Sequence, residues 1–199
     1  MAELTTPVNT NQKVIAYWIV SPVPDELARA ISEIQVALRK RFSDAVWVVP
    51  RESLHISFNA LSPIFEGDER GNVPSTPSPT FLKAFDKIIS GQPIELHFDT
   101  IEAFPAAIIL KAHDNGTYKS LRDQFNAAVE LPSGTKPTPS IIHTTICKFH
   151  SATELDVVKG FLARKSIRLD ISVLEFRVVR EKILYMVDYD VLQRFTLSA

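Results

Sequence analysis

Leu54-His55-Ile56-Ser57-Phe58 and Ile142-His143-Thr144-Thr145-Ile146 are the two stretches that decide the reading of this chain. Each is a histidine, one spacer and a hydroxyl residue among β-branched and aromatic neighbours, a composition that favours a strand. On a strand, side chains two apart share a face. Each stretch therefore presents one imidazole and one hydroxyl side by side, with the spacer turned away. The histidines stand 143 − 55 = 88 positions apart in a chain of 199. That spacing points to two similar halves, each giving one His and one hydroxyl to a common cleft.

The rest of the composition narrows the classes. A chain of 199 residues suffices for one two-lobed unit. With 22 basic and 23 acidic residues the net charge is −1, which argues against an extended nucleic-acid surface and leaves room for a small anion held by a local cluster. A single cysteine, Cys147, rules out an internal disulfide and fits a reducing compartment; the cytoplasm is expected, with the nucleus left open. The longest apolar run, Val14 to Val20, is too short to span a bilayer, so no membrane association is expected. Residues 1–12 are polar and read as a flexible leader; residues 13–199 read as a single bilobal domain, expected to be a monomer.

Taken in order, Val14 to Val20 reads as a central strand buried on both faces. After the prolines at 22 and 24, Leu27, Ile31, Ile34, Leu38 and Phe42 mark one helical stripe. Val46 to Val49 is a short strand that leads into the first histidine stretch. Ser62 to Thr80, rich in Pro, Gly and Ser/Thr, reads as a long surface loop, in the first place a flexible insertion and in the second a segment overhanging the site. Helices are expected over Phe81–Ile89, Tyr118–Val129 and from Leu155, and strands over Ile94–Phe98 and Ala106–Ala112. Leu169–Phe176 and Lys182–Asp190 read as the two strands of a closing hairpin. The class is α+β, with a structural repeat whose halves share element order and little residue identity.

Two imidazoles and two hydroxyls on one gap suit a phosphodiester. A neutral imidazole can take a proton from the attacking oxygen while a charged one gives a proton to the leaving oxygen. The hydroxyls of Ser57 and Thr145 can donate to the non-bridging oxygens. A lone His-x-Ser on a strand means little; the matching spacing, context and position in two halves give this pair its weight. Neither an HExxH run nor a Cys/His cluster points to zinc, and no metal or other cofactor is expected. Asn59 and Cys147, two positions past the hydroxyls, should share the cleft face. Arg51, Lys136 and Lys148 lie near the motifs as candidate anion contacts, with solvated loop charge as the equal alternative. Tyr17 and Trp18 could stack a base, although aromatics in an apolar strand are more often core. His97, His113 and His150 read as surface or strand-end residues.

The paired motifs His55-Ile56-Ser57-Phe58 and His143-Thr144-Thr145-Ile146 resemble those of the 2H phosphoesterase superfamily, in its 2′-5′ RNA ligase and cyclic phosphodiesterase branch. The run Trp47 to His55 is similar to the family's approach to its first motif, and the element order from about residue 13 to 197 is similar too. Two departures stand out: Ile142 where a proline often precedes the second His, and Ser57 where Thr is commoner. The resemblance implies a two-lobed fold of two pseudo-symmetric antiparallel sheets with outer helices and a central cleft. It implies metal-independent hydrolysis of 2′,3′-cyclic phosphates or 2′-5′ linkages in small nucleotides or RNA ends. By motif position it gives His55 and His143 the catalytic role and Ser57 and Thr145 the phosphate. The alternatives are ligation by the same site run backwards, and a module that only binds a nucleotide or RNA in the same cleft.

Overall fold

β1 (Lys13–Pro22) runs through the middle of one half of the molecule, flanked on both edges, as its unbroken apolar run requires. The computed structural model describes residues 2–67, 76–89, 91 and 93–197. After β1 come α1 (Asp25–Phe42), β2 (Val46–Val48), β3 (His55–Ala60), β4 (Phe65–Glu66), α2 (Pro79–Ile88), β5 (Ile94–Phe104), β6 (Ala107–His113) and α3 (Thr117–Ala128). β7 (Ile142–Phe149), α4 (Leu155–Leu162), β8 (Leu169–Val173), β9 (Glu175–Ile183) and β10 (Asp188–Thr196) complete the chain.

The strands line up antiparallel in the order β10-β9-β1-β3-β7-β6-β5-β8, with β2 added beside β7 and β4 beside β1. This is four strands and four strands, meeting at β3 and β7, the two strands that carry the motifs. The junction is slight: one registered pair, Ile56 opposite Thr144, joins the halves. The expected two pseudo-symmetric antiparallel sheets with a cleft between them are what the chain forms, hydrogen-bonded to each other at that one place.

The helices lie on the face away from the cleft, and they cross over. α1 buries Leu27, Ile31, Ile34 and Leu38, the stripe read from sequence, and packs on β2 and β7 of the second sheet. α3 comes from the second half of the chain, yet its Tyr118 and Phe125 rings pack edge-on against Phe58 of β3. Phe85 of α2 meets the same Phe58 and also Phe176 of β9 and Phe195 of β10. One continuous apolar core runs beneath both sheets as a result.

Three local expectations are revised. Leu169–Phe176 and Lys182–Asp190 do not form a hairpin with each other: β8 pairs with β5 at the far edge of the second sheet. The chain then crosses over at the exposed Leu174, and β9 pairs with β1 and β10 on the first sheet. The start of the loop from Ser62 is tied down, because the Ser62 hydroxyl accepts from the Tyr17 N–H at 3.0 Å and β4 pairs with β1. The part of that loop at 68–75 lies outside the described residues. In the leader, the N–H groups of Thr5, Thr6 and Val8 donate to the carbonyls of Thr153, Pro105 and Phe149 at 2.7–2.8 Å, and the Thr5 side chain is buried.

Candidate active site

The register at the junction sets the site. β3 and β7 run antiparallel with Ile56 opposite Thr144, both fully buried. One step either side, His55 therefore stands across from Thr145, and Ser57 across from His143. The two spacers point into the core and the four functional side chains to the cleft, all half-buried. Imidazoles and hydroxyls occupy opposite corners of a square. In an antiparallel sheet the diagonal neighbours lie about 7–8 Å apart. That separation admits one tetrahedral phosphate between the imidazoles.

Both rings are tied in the same way. Nδ1 of His55 lies 2.7 Å from the carbonyl oxygen of Ser53, and Nδ1 of His143 lies 3.3 Å from that of Ile141. A carbonyl only accepts, so in both rings Nδ1 carries the proton and donates, leaving Nε2 for the cleft. Burial pushes both imidazoles below the usual histidine range; the carbonyl contacts oppose this, and the Lys148 ammonium adds to it in both. His143 lowers His55 further, and the Arg122 guanidinium lowers His143.

A cavity of about 170 Å³ opens on this face, lined among others by His55, Ser57, Thr145, Lys136, Lys148 and Trp18. The Lys148 ammonium sits 3.9 Å from the centre of the Tyr185 ring and Lys136 sits 5.9 Å from that of Trp18, both cation–π contacts. Burial, reinforced by Lys136, brings Lys148 down to about 8, so it is charged at neutral pH. The Trp18 indole N–H donates to Glu181 at 2.8 Å, and the other Glu181 oxygen accepts from the Met186 N–H at 3.0 Å. That second bond holds a turn in which Tyr185 and Met186 both have positive φ, at 68° and 57°, a strained conformation for side chains of this size. A second cavity of about 290 Å³ meets the first at His55 and Met186 and contains Arg51, whose guanidinium pairs with Asp25 at 2.7 Å.

No family model matches the chain, and no curated protein matches it. Solved structures match over nearly its whole length. TT0787 of Thermus thermophilus is 20% identical, with 92% of this chain and 97% of that one covered and a TM-score of 0.64. LigT of E. coli, solved with NADP+, is 14% identical over 95% of this chain and 99% of its own, with a TM-score of 0.62. The PDE domain of MHV ns2 is 11% identical over 89% and 97%, with a TM-score of 0.51. The chain has the LigT fold.

Within this LigT fold His55, Ser57 and Thr145 line one cavity with Lys136 and Lys148, and His143, across from Ser57 and near enough to lower His55, stands beside that lining rather than in it. Arg51 is one cavity away. Trp18 lines the cleft, whereas Tyr17 is core. His97 and His113 are exposed near Asp99 and Asp170, His150 is exposed, and none of the three lines the cleft. Among the described residues no three His, Cys, Asp or Glu side chains are grouped to hold a metal ion, and no helix is long and apolar enough to cross a membrane. Asn59 and Cys147 do not share the cleft face. Both are fully buried, because each motif strand bulges just past its hydroxyl. Sequence reading does not single out Glu181, Tyr185 and Met186: Glu181 is near the end of β9, and Tyr185 and Met186 lie in a turn that breaks the expected strand Lys182–Asp190, where an apolar run carries no Gly, Pro or Asn to signal it.

Proposed function

We propose that this chain is a metal-independent phosphodiesterase of the two-histidine type, hydrolysing 2′,3′-cyclic phosphates or 2′-5′ linkages of small nucleotides or RNA ends. The carrying observation is the junction pair Ile56–Thr144, which puts His55 and His143 at opposite corners with Ser57 and Thr145 between them. One imidazole, neutral at Nε2, takes a proton from water as the water oxygen bonds to phosphorus. The other, charged, gives its Nε2 proton to the departing ribose oxygen as the P–O bond breaks. The pair has then exchanged protonation states, and solvent restores them. Ser57 and Thr145 donate to the non-bridging oxygens, where charge grows in the transition state. Lys148 and Lys136 offset the phosphate charge, and Glu181 keeps the cleft from becoming strongly cationic. The fold comparison supports a nucleotide as the ligand class, since LigT has been solved with 3′-AMP, ATP, NADP+ and phosphate.

The test is direct. Purified protein in EDTA is offered 2′,3′-cyclic nucleotides of each base and a 2′-5′-linked dinucleotide, and products are resolved by chromatography. Turnover of at least one substrate is expected without added metal, and its loss in His55→Gln and in His143→Gln. Tight binding without turnover at any pH would make the cleft a binding module. A requirement for a divalent ion would overturn the two-imidazole mechanism.

A further inference from the structure

The bulges past the two motifs are equivalent. On β3, Ser57 pairs with Val20 and Asn59 with Ile19, leaving Phe58 as the extra residue. On β7, Thr145 pairs with Ile109 and Cys147 with Ile108, leaving Ile146 as the extra residue. The same bulge thus falls one position after the hydroxyl in both halves. A bulge disrupts the ladder and turns the side chains beyond it, and here the turn brings Lys148 into the cleft.

Each bulge is held by one buried polar side chain from a helix of the opposite half. Gln35 of α1, 9% exposed, donates from Nε2 to the Ile146 carbonyl at 2.8 Å and to the Val49 carbonyl at 2.8 Å. Arg122 of α3, 4% exposed, donates from Nε to the Phe58 carbonyl at 3.0 Å, from Nη2 to Ser57 at 2.6 Å and from Nη1 to Pro139 at 3.0 Å. The pattern repeats in both halves. Val49 lies on the approach to the first motif and Pro139 on the approach to the second. Each side chain therefore ties the lead-in of its own half to the motif strand of the other.

We propose that Gln35 and Arg122 are a crossed pair of positioning residues, Gln35 fixing Thr145, Lys148 and His143 against the first half, and Arg122 fixing Ser57 and His55 against the second. This rests on the reading that those residues carry the reaction. One registered pair joins β3 to β7, and β2, which leads into β3, adds three pairs to β7 and one Val49 N–H bond to the Ile146 carbonyl, so the angle between the motif strands rests on these few ladder contacts and on the two side chains. Burying a guanidinium against neutral carbonyls is costly, and well-packed apolar side chains often match or exceed the stability such groups give. What the two side chains add is a fixed distance between strands that must present four groups to one phosphate.

Gln35→Met keeps the volume and removes both donors. With a 2′,3′-cyclic nucleotide as substrate, kcat is expected to fall by ~10–100-fold with KM changed much less, the size of effect that a misplacement near 1 Å produces. Imidazole 15N spectra recorded with inorganic phosphate present should move for His143 more than for His55. Arg122→Lys, which keeps the charge and loses the fork, should reverse that order. The double variant should lose little more than the worse single one, since both act on one constellation. If Gln35→Met does not fold, Gln35→Glu keeps the shape, retains one donor as the neutral acid, and should give an intermediate loss in kcat. A folded Gln35→Met protein with wild-type kcat and an unmoved His143 signal would overturn the proposal. So would a loss that merely tracks the unfolded fraction in a thermal melt, or one confined to KM. Should the wild type turn over no cyclic nucleotide, the functional reading fails while the crossed order of the imidazole signals still decides the brace.

Discussion

At the residue scale, the two imidazoles share one environment and so one pH response. Both are pushed below the usual histidine range by burial, and positive neighbours add to that. The active form of the pair carries a single proton, and the free enzyme loses that last proton at a lower pH than an ordinary histidine would. The kcat/KM optimum is therefore expected below about pH 6.5, the unperturbed histidine value. A bound phosphate anion favours the charged imidazole, so the kcat profile should sit at higher pH than that of kcat/KM. The limbs belong to the coupled pair and to neither residue alone. Lys148, near 8, is charged through the expected kcat/KM optimum and loses its proton only on the alkaline side of it. Initial rates from pH 4.5 to 9, repeated with Lys148→Met, measure this; an alkaline limb of kcat/KM above 7.5 that persists in Lys148→Met would mean that the charged imidazoles are better stabilised than their burial indicates. Ser57→Ala should cost less than His55→Gln. Loss of one donor to the developing charge is worth roughly 3 kcal/mol, and a positioned acid or base about 10²–10⁴-fold, so the ordering is what the comparison of kcat values tests. A folded Ser57→Ala protein weaker than His55→Gln would reassign the roles.

At the element scale, alternation made the motifs legible, and the bulges concealed where the residues beyond the motifs point. Period-two reasoning placed His55, Ser57, His143 and Thr145 on one face, as found, because each motif ends before its bulge begins. It then carried Asn59 and Cys147 onto the same face, where the bulges at Phe58 and Ile146 turn them into the core. A bulge depends on the register with a neighbouring strand, here β1 and β6, and that pairing is not written in the motif strand itself. Gln35 was hidden for a related reason: it sits inside an apolar helical stripe, and only the bulge carbonyl explains it. The placement of Cys147 can be checked by thiol chemistry. With regular alternation its thiol would lie beside Thr145 in an open cleft. In the structure it is fully buried, and burial pushes it up to about 12. Cys147 should resist a thiol reagent such as iodoacetamide in the native protein at pH 8 and react fully once unfolded in guanidinium, as read by mass spectrometry. Rapid alkylation of the native protein would mean that the β7 bulge is misplaced.

At the scale of the whole molecule, the two halves of the chain exchange elements. Sequence showed the repeat, through the spacing of the motifs and the similar order around them. It did not show the exchange between halves, because consecutive strands usually neighbour one another, and that expectation joined Leu169–Phe176 to Lys182–Asp190 as a hairpin. Instead the chain leaves the second sheet after β8 and completes the first with β9 and β10, while β2 and α1 from the first half cover β7. The core shows the same exchange: Phe176 of β9 packs at 5.4 Å from both Phe58 and Phe85, ring centre to ring centre. A fragment of residues 1–92 would keep β1 and β3 and lose both strands beyond β1, along with Phe176, Tyr118 and Phe125 from around Phe58 and Phe195 from beside Phe85. It would also leave Gln35 without the Ile146 carbonyl. Such a fragment is expected to be unfolded alone, with collapsed amide dispersion in NMR and no cooperative thermal transition. Mixed with residues 93–199 it should recover both, because the missing strands and the crossed hydrogen bonds then return together. A cooperative melt from residues 1–92 alone would show that the first half completes its own sheet, and the exchange between halves would lose its energetic basis.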